Sequence, residues 1–574
     1  MNDSLPGERF RSVQNPPKGL LGWVARMQQR LENKLALQNS RTVHVRGARV
    51  AAETLLGALL AQTRRTDYDL VVPSNQVKEC EQRRLVDPIL SGSRLRSIKP
   101  ATMLNRRGLA ELNPDLWLNL YGDQHVSFAL RDFFSKRLFP TLTVQHGVSN
   151  LSHQYDRFLR SLLLPHYACD SVICTSPACR DAVRNIYDQL EDSLLKSHGL
   201  ELPFKGRLDI IPLCVDTDIL HPQPKEPARR RHGVADDSIV LLYLGFISQV
   251  KADLIPLLVV FAKLVRDHKQ YKIRLVIAGT GPTAYTNMLQ HAIRHLELVQ
   301  HVTIFKDVSE LSKLDLFSMS DVFVAPCDSL QESFGLTPVE AMACGVPQVV
   351  ADWSGYRHTV KHGATGFLIP TYWNGSDSEL LFTNELFGWS YDHILQGQAV
   401  ALDQSRLYDA LKLLIENSEL RLKMSQESRR RAEKYYSYKA IAEQYEQLWT
   451  ELHAISKSII FKPSADRFDG PKYSKEFSHF PTRQLAADDL LVAVTPSPLP
   501  LDQLFWYAHA ELHATPFLDL TLLKSIYFVA GTAQHGYTVR GLIEGSRSTS
   551  HDGDQIVRHI LFLLKHGCLA LAFS

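Results

Sequence analysis

Two glutamates, Glu332 and Glu340, stand with seven residues between them, and the intervening stretch contains Ser333-Phe334-Gly335-Leu336-Thr337-Pro338. The loop Pro326–Leu336 follows the apolar run Val322–Ala325, which reads as a buried strand. A carboxylate at the carboxyl end of such a strand can accept hydrogen bonds from ligand hydroxyls. Thr337 fits a helix N-cap, Pro338 the first helical position and Glu340 the third, which together make a capping box; Gly345, with Pro347 close behind, fits the stop. The open N–H groups and positive end of that helix favour an anionic or oxygen-rich ligand. Gly335 lets a ligand approach the backbone closely. Each glutamate alone has a plainer explanation. Glu340 is accounted for by the capping box, and Glu332 reads equally as a solvated loop carboxylate.

The elements that must position this segment alternate between strand and helix, which predicts α/β layers with parallel sheets. In the first half, Thr42–Val45, Leu70–Val72, Leu116–Leu120, Leu142–Val144 and Ser171–Cys174 read as strands. Ala48–Gln62 reads as a helix, and Ser176 with Pro177 as the start of another. A second series holds strands Val240–Leu244, Ile273–Ala278, Val302–Phe305, Val322–Ala325 and Gln348–Ala351, then helices around Ser405–Ile415 and Ser418–Glu433 and a long one from Tyr438 to about His453. Two doubly wound domains follow, 41–230 and 231–437, with a cleft between them as the expected site and 438–455 as a closing helix. The stretch 456–500 is polar and proline-rich, as a linker would be. Three helical runs and a terminal strand in 501–574 suggest a small winged-helix-like α+β module.

Composition excludes several classes. A net charge of +3 over 574 residues is too small for a chain whose main task is gripping nucleic acid, and the stretch Asp519–Ser574 has five Lys/Arg against four Asp/Glu. Eight dispersed cysteines make neither a disulfide scaffold nor a zinc pair, so buried thiols in a reducing, cytoplasmic setting are expected. No apolar run is long enough to span a membrane. Within residues 1–40, Leu20, Trp23, Val24, Met27, Leu31 and Leu35 make one face of an amphipathic helix over 19–38, flanked by basic residues. It reads as a helix docked on its own domain, with peripheral contact to the inner face of a membrane as the second reading.

The whole pattern from Glu332 to Pro347 resembles the signature of glycosyltransferase family 4, and the likeness extends to Ser354-Gly355 and to Gly363–Pro370. The resemblance implies the GT-B fold, two Rossmann-like domains with a nucleotide sugar in the cleft. It implies that Glu332 contacts donor-sugar hydroxyls and Glu340 the ribose. Phe334, Gly335 and Leu336 would line the sugar and phosphates, with backbone amides as donors. Gly245–Lys251 resembles the family's glycine-to-lysine segment, whose lysine holds the diphosphate; the arginine usual after that glycine is Phe246, which removes one phosphate clamp. Ile211–Asp216 resembles the interdomain segment, with Cys214 in place of its glycine. His146-Gly147, after Leu142–Val144, matches a histidine that faces the donor sugar, and Gly47 resembles the first glycine loop.

The expected activity is therefore sugar transfer from a nucleoside diphosphate sugar with retention, through Glu332, Lys251 and His146, with no metal and no cofactor beyond the donor co-substrate. The acceptor is left open among a glycan, a lipid-linked group and a protein or peptide. The competing expectation is a catalytically impaired nucleotide-sugar-binding protein that interacts through its C-terminal module.

Overall fold

The computed structural model describes residues 46–63, 67–73, 76–86, 94–104, 106–120, 122–148, 151–308, 310–374, 391–462, 476–503, 505, 518–533, 535–546 and 553–572. The expected strand Thr42–Val45 and the amphipathic segment 19–38 lie outside these residues.

The first half opens with helix Arg46–Gln62, which carries Gly47 in its first turn. Strands β1 (Tyr68–Val72) and β2 (Leu95–Pro100) form a separate parallel pair. Strands β3 (Trp117–Asn119), β4 (Thr141–Gln145), β5 (Ser171–Cys174) and β6 (Arg207–Ile210) pair side by side in chain order, all parallel. Every residue of β4 and β5 is buried. In β5 that two-sided burial goes with the unbroken run Val172-Ile173-Cys174, whereas β4 alternates and buries Thr141, Thr143 and Gln145 on one face. Ser176 caps the following helix as expected, accepting the Cys179 N–H at 3.1 Å.

The second half contains β7 (Ser238–Leu244), β8 (Lys272–Gly279), β9 (Val302–Lys306), β10 (Val322–Ala325), β11 (Gln348–Ala351) and β12 (Gly366–Ile369). They form one parallel sheet in the order β12-β11-β10-β7-β8-β9. This is the doubly wound Rossmann order. Its direction reverses between β7 and β10, and a crevice must open where the loops after those two strands diverge. The two halves make the GT-B arrangement. A short antiparallel pair, β13 (Thr371–Trp373) with β14 (Val400–Leu402), projects beyond β12.

The chain crosses between the halves twice. Val215 N–H donates to Tyr436 O at 2.9 Å where the crossings meet. Helix Tyr438–Ser458 then returns to the first half, burying Ile441, Tyr445, Leu448 and Leu452 against Leu55, Leu142 and Ile173. A second shared core joins Ala51, Leu213 and Val215 to Phe334, Val339, Met342 and Tyr436. The halves are thus bound by apolar burial as well as by chain connection.

Beyond residue 480, β15 (Leu490–Ala493) pairs antiparallel with β16 (Tyr537–Thr538) and β17 (Leu569–Leu571). Helices Leu520–Gly531, Val539–Ser546 and Gly553–Lys565 pack on them around Leu523, Ile526, Leu542, Ile556 and Ile560. The central strand β15 falls inside the stretch 456–500 expected to be a linker, which is a correction. The four apolar residues Leu490–Ala493 sit among polar and proline-rich neighbours, and only the partners far along the chain turn them into a strand.

Candidate active site

Lys251 and Glu332 meet at the crevice between β7 and β10. Lys251 lies in the loop between β7 and the helix Ile255–Asp267, and its Nζ forms an ion pair with Glu332 Oε2. Burial works against the charged amine, but the Glu332 carboxylate outweighs it and holds the Lys251 pKa above its ordinary value. Glu332 is only 7% exposed. Its Oε1 lies 3.4 Å from the Phe334 N. Burial, then the Glu332 charge, push the Tyr356 hydroxyl well above the usual phenol range.

Close backbone packing sets both loops. A Cβ on Gly281 would collide with Ile247 O, and one on Gly279 with Gly245 O, so the glycines after β8 let the β7 loop lie directly on them. Ile247 N–H donates to Thr280 O at 2.8 Å across that contact. Gly335 has φ +94°, and its hydrogen faces the Tyr356 ring.

The helix after the Glu332 loop spans Leu336–Ala343, with Gly335 as N-cap and no side-chain cap. The expected capping box is therefore not formed. The left-handed turn at Gly335 starts the helix one residue before Thr337, which places Thr337 inside its first turn. Pro338 is tolerated there because first-turn N–H groups have no intrahelical partner. Glu340 is buried in mid-helix, and Lys313 Nζ donates to its Oε1 at 3.2 Å. Gly345, at φ +71°, ends the segment as expected.

Phe334 joins the interdomain core. Its side chain is 2% exposed and packs edge-on to Tyr436 with centroids 5.8 Å apart. It anchors the loop in the interdomain core, so only its backbone is placed to meet a ligand. Leu336 packs at the edge of the same core. Gly245 sits at the end of β7, its N–H bonded to Ala278 O at 3.0 Å. Phe246 beside it is 39% exposed.

From the first half, the loops after β4 and β5 reach the Glu332 loop. Ser176 Oγ donates to Ser333 O at 2.6 Å, Thr175 Oγ1 to Ser333 Oγ at 3.2 Å, and Ser333 Oγ to His146 O at 2.6 Å. His146 thus borders the crevice. Its Nε2 bonds to Leu120 O at 2.7 Å, which makes Nε2 the protonated nitrogen, and burial lowers its pKa. Nδ1 is left as a buried acceptor with no partner among the described residues. Glu332 and Lys251 are therefore in contact, and the His146 backbone is tied to the loop that carries Glu332. Gly47 lies four residues before Ala51, which packs in the core shared with Phe334.

Two participants were not singled out in the sequence. Ser333 is the hub of the interdomain contacts, and nothing marks a serine as one. Asp328, two residues beyond Pro326, accepts the Asp253 N–H on Oδ2 at 3.1 Å, while its Oδ1 is buried without a partner among the described residues. Burial pushes its carboxyl up to about 7, with the Asp253 N–H pulling against it and the Asp253 charge adding to it. A carboxylate just past a strand's carboxyl end was the available signal.

Residues 224–379 match the family model for glycosyl transferases group 1. The segment holds Gly245, Lys251, Glu332 and Glu340, and the match supports a glycosyltransferase. The D-inositol 3-phosphate glycosyltransferase of Thermobispora bispora is 32% identical over 184 residues, covering 30% of this chain and 42% of that protein. The enzyme of the same name from Geodermatophilus obscurus is 34% identical over 166 residues, covering 28% and 36%. The chain spans about two fifths of the length of these curated relatives. Among solved structures, sucrose-phosphate synthase of Thermosynechococcus elongatus is 18% identical, with TM-score 0.45 over 68% of this chain and 100% of that one. Anabaena HepE in complex with UDP and glucose is 16% identical, with TM-score 0.48 over 72% and 98%.

Proposed function

We propose that this chain is a retaining glycosyltransferase that moves a sugar from a nucleoside diphosphate sugar to an acceptor hydroxyl. The observation that carries the reading is the Lys251–Glu332 pair at the crevice where the sheet order reverses, beneath loops of both halves. An anionic diphosphate would take over Lys251, and the sugar hydroxyls would take over Glu332. The same donor exchanges one internal ion pair for two contacts of its own. As the sugar–phosphate bond breaks, Lys251 and the uncapped start of helix Leu336–Ala343 would stabilise the charge gathering on the leaving diphosphate. His146 Nδ1 is an acceptor for a sugar hydroxyl. Contacts between the halves at Ser333 would exclude water that could otherwise hydrolyse the donor.

Glu340 is assigned to the ribose, with Lys313 steadying its carboxylate. The acceptor stays open among a glycan, a lipid-linked group and a protein or peptide. The buried thiols suit a reducing, cytoplasmic setting, and no helix among the described residues is long and apolar enough to cross a membrane.

The test is thermal-shift screening of UDP-, GDP- and ADP-sugars against the native chain and the variants Lys251→Ala and Glu332→Gln, followed by turnover assays. A good donor raises the melting temperature by mass action. Native stabilisation that both variants lose supports the site. Equal stabilisation of both variants refutes it. The exposed Phe246, where the resemblance calls for an arginine, favours one second reading: binding without turnover would identify a catalytically impaired nucleotide-sugar-binding protein.

A further inference from the structure

We infer that Asp328 is a positioning residue whose carboxylate holds the Lys251 loop in place across the crevice and makes donor binding depend on pH near neutrality. The inference rests on the donor-site reading above and adds a residue and a control to it.

The geometry is a clamp of two adjacent residues. Cys327 Sγ donates to Lys251 O at 3.3 Å, and Asp328 Oδ2 accepts the Asp253 N–H at 3.1 Å. The β10 loop thereby grips the backbone on both sides of Ala252. Asp253 is fixed in turn from behind: its Oδ1 accepts the Ile255 N–H at 3.0 Å and the Tyr285 hydroxyl at 3.2 Å. Tyr285 also takes the Leu254 N–H at 2.7 Å. The Lys251 loop is therefore tied to its own helix by Asp253, to the helix Thr283–His295 by Tyr285, and to the β10 loop by Cys327 and Asp328. Only the Asp328 bond pairs a carboxylate with a backbone N–H across the two loops.

A bond from an N–H to an ionised carboxylate is stronger than one to a neutral carboxyl. Asp328 titrates where this matters, since burial brings its carboxyl to about 7. The charged and titratable groups around it are Asp253, Lys251, Glu332, Cys327, Tyr243 and Tyr285. The Lys251 amine, the Cys327 thiol and both phenols are all pushed upward from values already above neutral, so their charges are constant between pH 5.5 and 8.5. From the helix Tyr391–Gln398 the neighbour is Gly397, which carries no charge, and the buried Asp328 Oδ1 beside it can carry the proton. Above neutral pH the ionised clamp holds Lys251 where a diphosphate needs it. Below it, the clamp slackens.

The experiment uses the full chain and Asp328→Asn, which keeps shape and an acceptor oxygen but never ionises. Affinity for the best-stabilising nucleotide sugar is measured by calorimetry from pH 5.5 to 8.5. Native affinity should rise about fivefold across the range, and D328N should stay flat at the low-pH value. Hydrogen–deuterium exchange of residues 248–254 without ligand is the second readout: D328N should exchange faster than native at pH 8.5 and equally at pH 5.5. A native profile with no slope, or a D328N profile with the native slope, overturns the inference. If no nucleotide sugar binds, the donor reading fails and the exchange comparison still decides the clamp: equal exchange at pH 8.5 overturns it. If D328N does not fold, the native affinity profile, or failing any ligand the native loop exchange corrected for its intrinsic pH dependence, decides alone, and absence of a transition near pH 7 overturns the inference.

Discussion

Gly355→Ala isolates the placement of the Glu332 loop from its chemistry. Gly355 has φ −64° and ψ −30°, a conformation any residue adopts, so its identity is set by space rather than by backbone strain. A methyl there would fall inside contact distance of Phe334 Cα and N and 2.5 Å from Ser333 O. All three are backbone atoms and cannot swing aside as a side chain would. Restoring an ordinary separation of about 3.5 Å moves the loop by about 1 Å. That loop carries Glu332 to Lys251 and bonds Ser333 to the first half. A misplacement of this size costs about 100-fold in kcat/KM. The assay is initial-rate transfer, or donor hydrolysis where no acceptor is in hand, with melting temperatures measured in parallel. Gly363→Ala is the control: its φ of +74° strains an alanine by about 1–2 kcal/mol, but nothing lies within 4 Å of the new methyl. It should lose stability and keep its kcat/KM. The reasoning is refuted if G355A stays within twofold of native, or if G363A loses as much activity as G355A.

Three further outcomes follow from the geometry. Arg131 and Asp170 form a fully buried pair, and Asp170 also takes the Thr141 N–H; Arg131→Met should cost about 3–5 kcal/mol in urea unfolding by leaving the carboxylate without its counter-charge. Burial, with Arg160 adding to it, lowers the His125 pKa from 6.5 to about 4. The unfolded chain then binds the proton first as pH falls, so about 3 kcal/mol of stability should be lost between pH 6.5 and 4, and His125→Gln should flatten that limb of the stability–pH curve. Phe246 is 39% exposed in the β7 loop, so Phe246→Arg should fit without repacking and, on the proposed donor site, lower the donor Kd several-fold; an unchanged Kd would place the diphosphate elsewhere.

Much of the parallel architecture was legible because its strands are buried on both faces. Runs such as Val322–Ala325, Gln348–Ala351 and Ser171–Cys174 are strands with the bounds their apolar residues suggested. Leu490–Ala493 has the same local character, yet proline-rich surroundings hid it, and β2 was missed because Leu95–Pro100 mixes arginine, serine and lysine into a half-buried edge. Helix starts were less secure. Thr337-Pro338-Val339-Glu340 satisfies every rule for a capping box, but the left-handed turn at Gly335 begins the helix earlier and leaves Glu340 to Lys313. Local rules compare conformations a few residues long, and the packing of Gly335 on Tyr356 decides between them from outside that window.

The sequence by itself determined that a carboxylate, Glu332, follows the strand Val322–Ala325 and that an amine, Lys251, follows the strand Val240–Leu244, and the resemblance assigned both to one donor site. The sheet order β12-β11-β10-β7-β8-β9 then set those two strands side by side and brought the two side chains into contact. Tertiary structure alone decided what each residue does there. It turned Phe334 into an interdomain anchor, made Ser333 the bond between the halves, and buried Asp328 enough to bring its titration to neutral pH. The physical reason is that burial and hydrogen bonding depend on every neighbour in space, while the chain records only the neighbours in line.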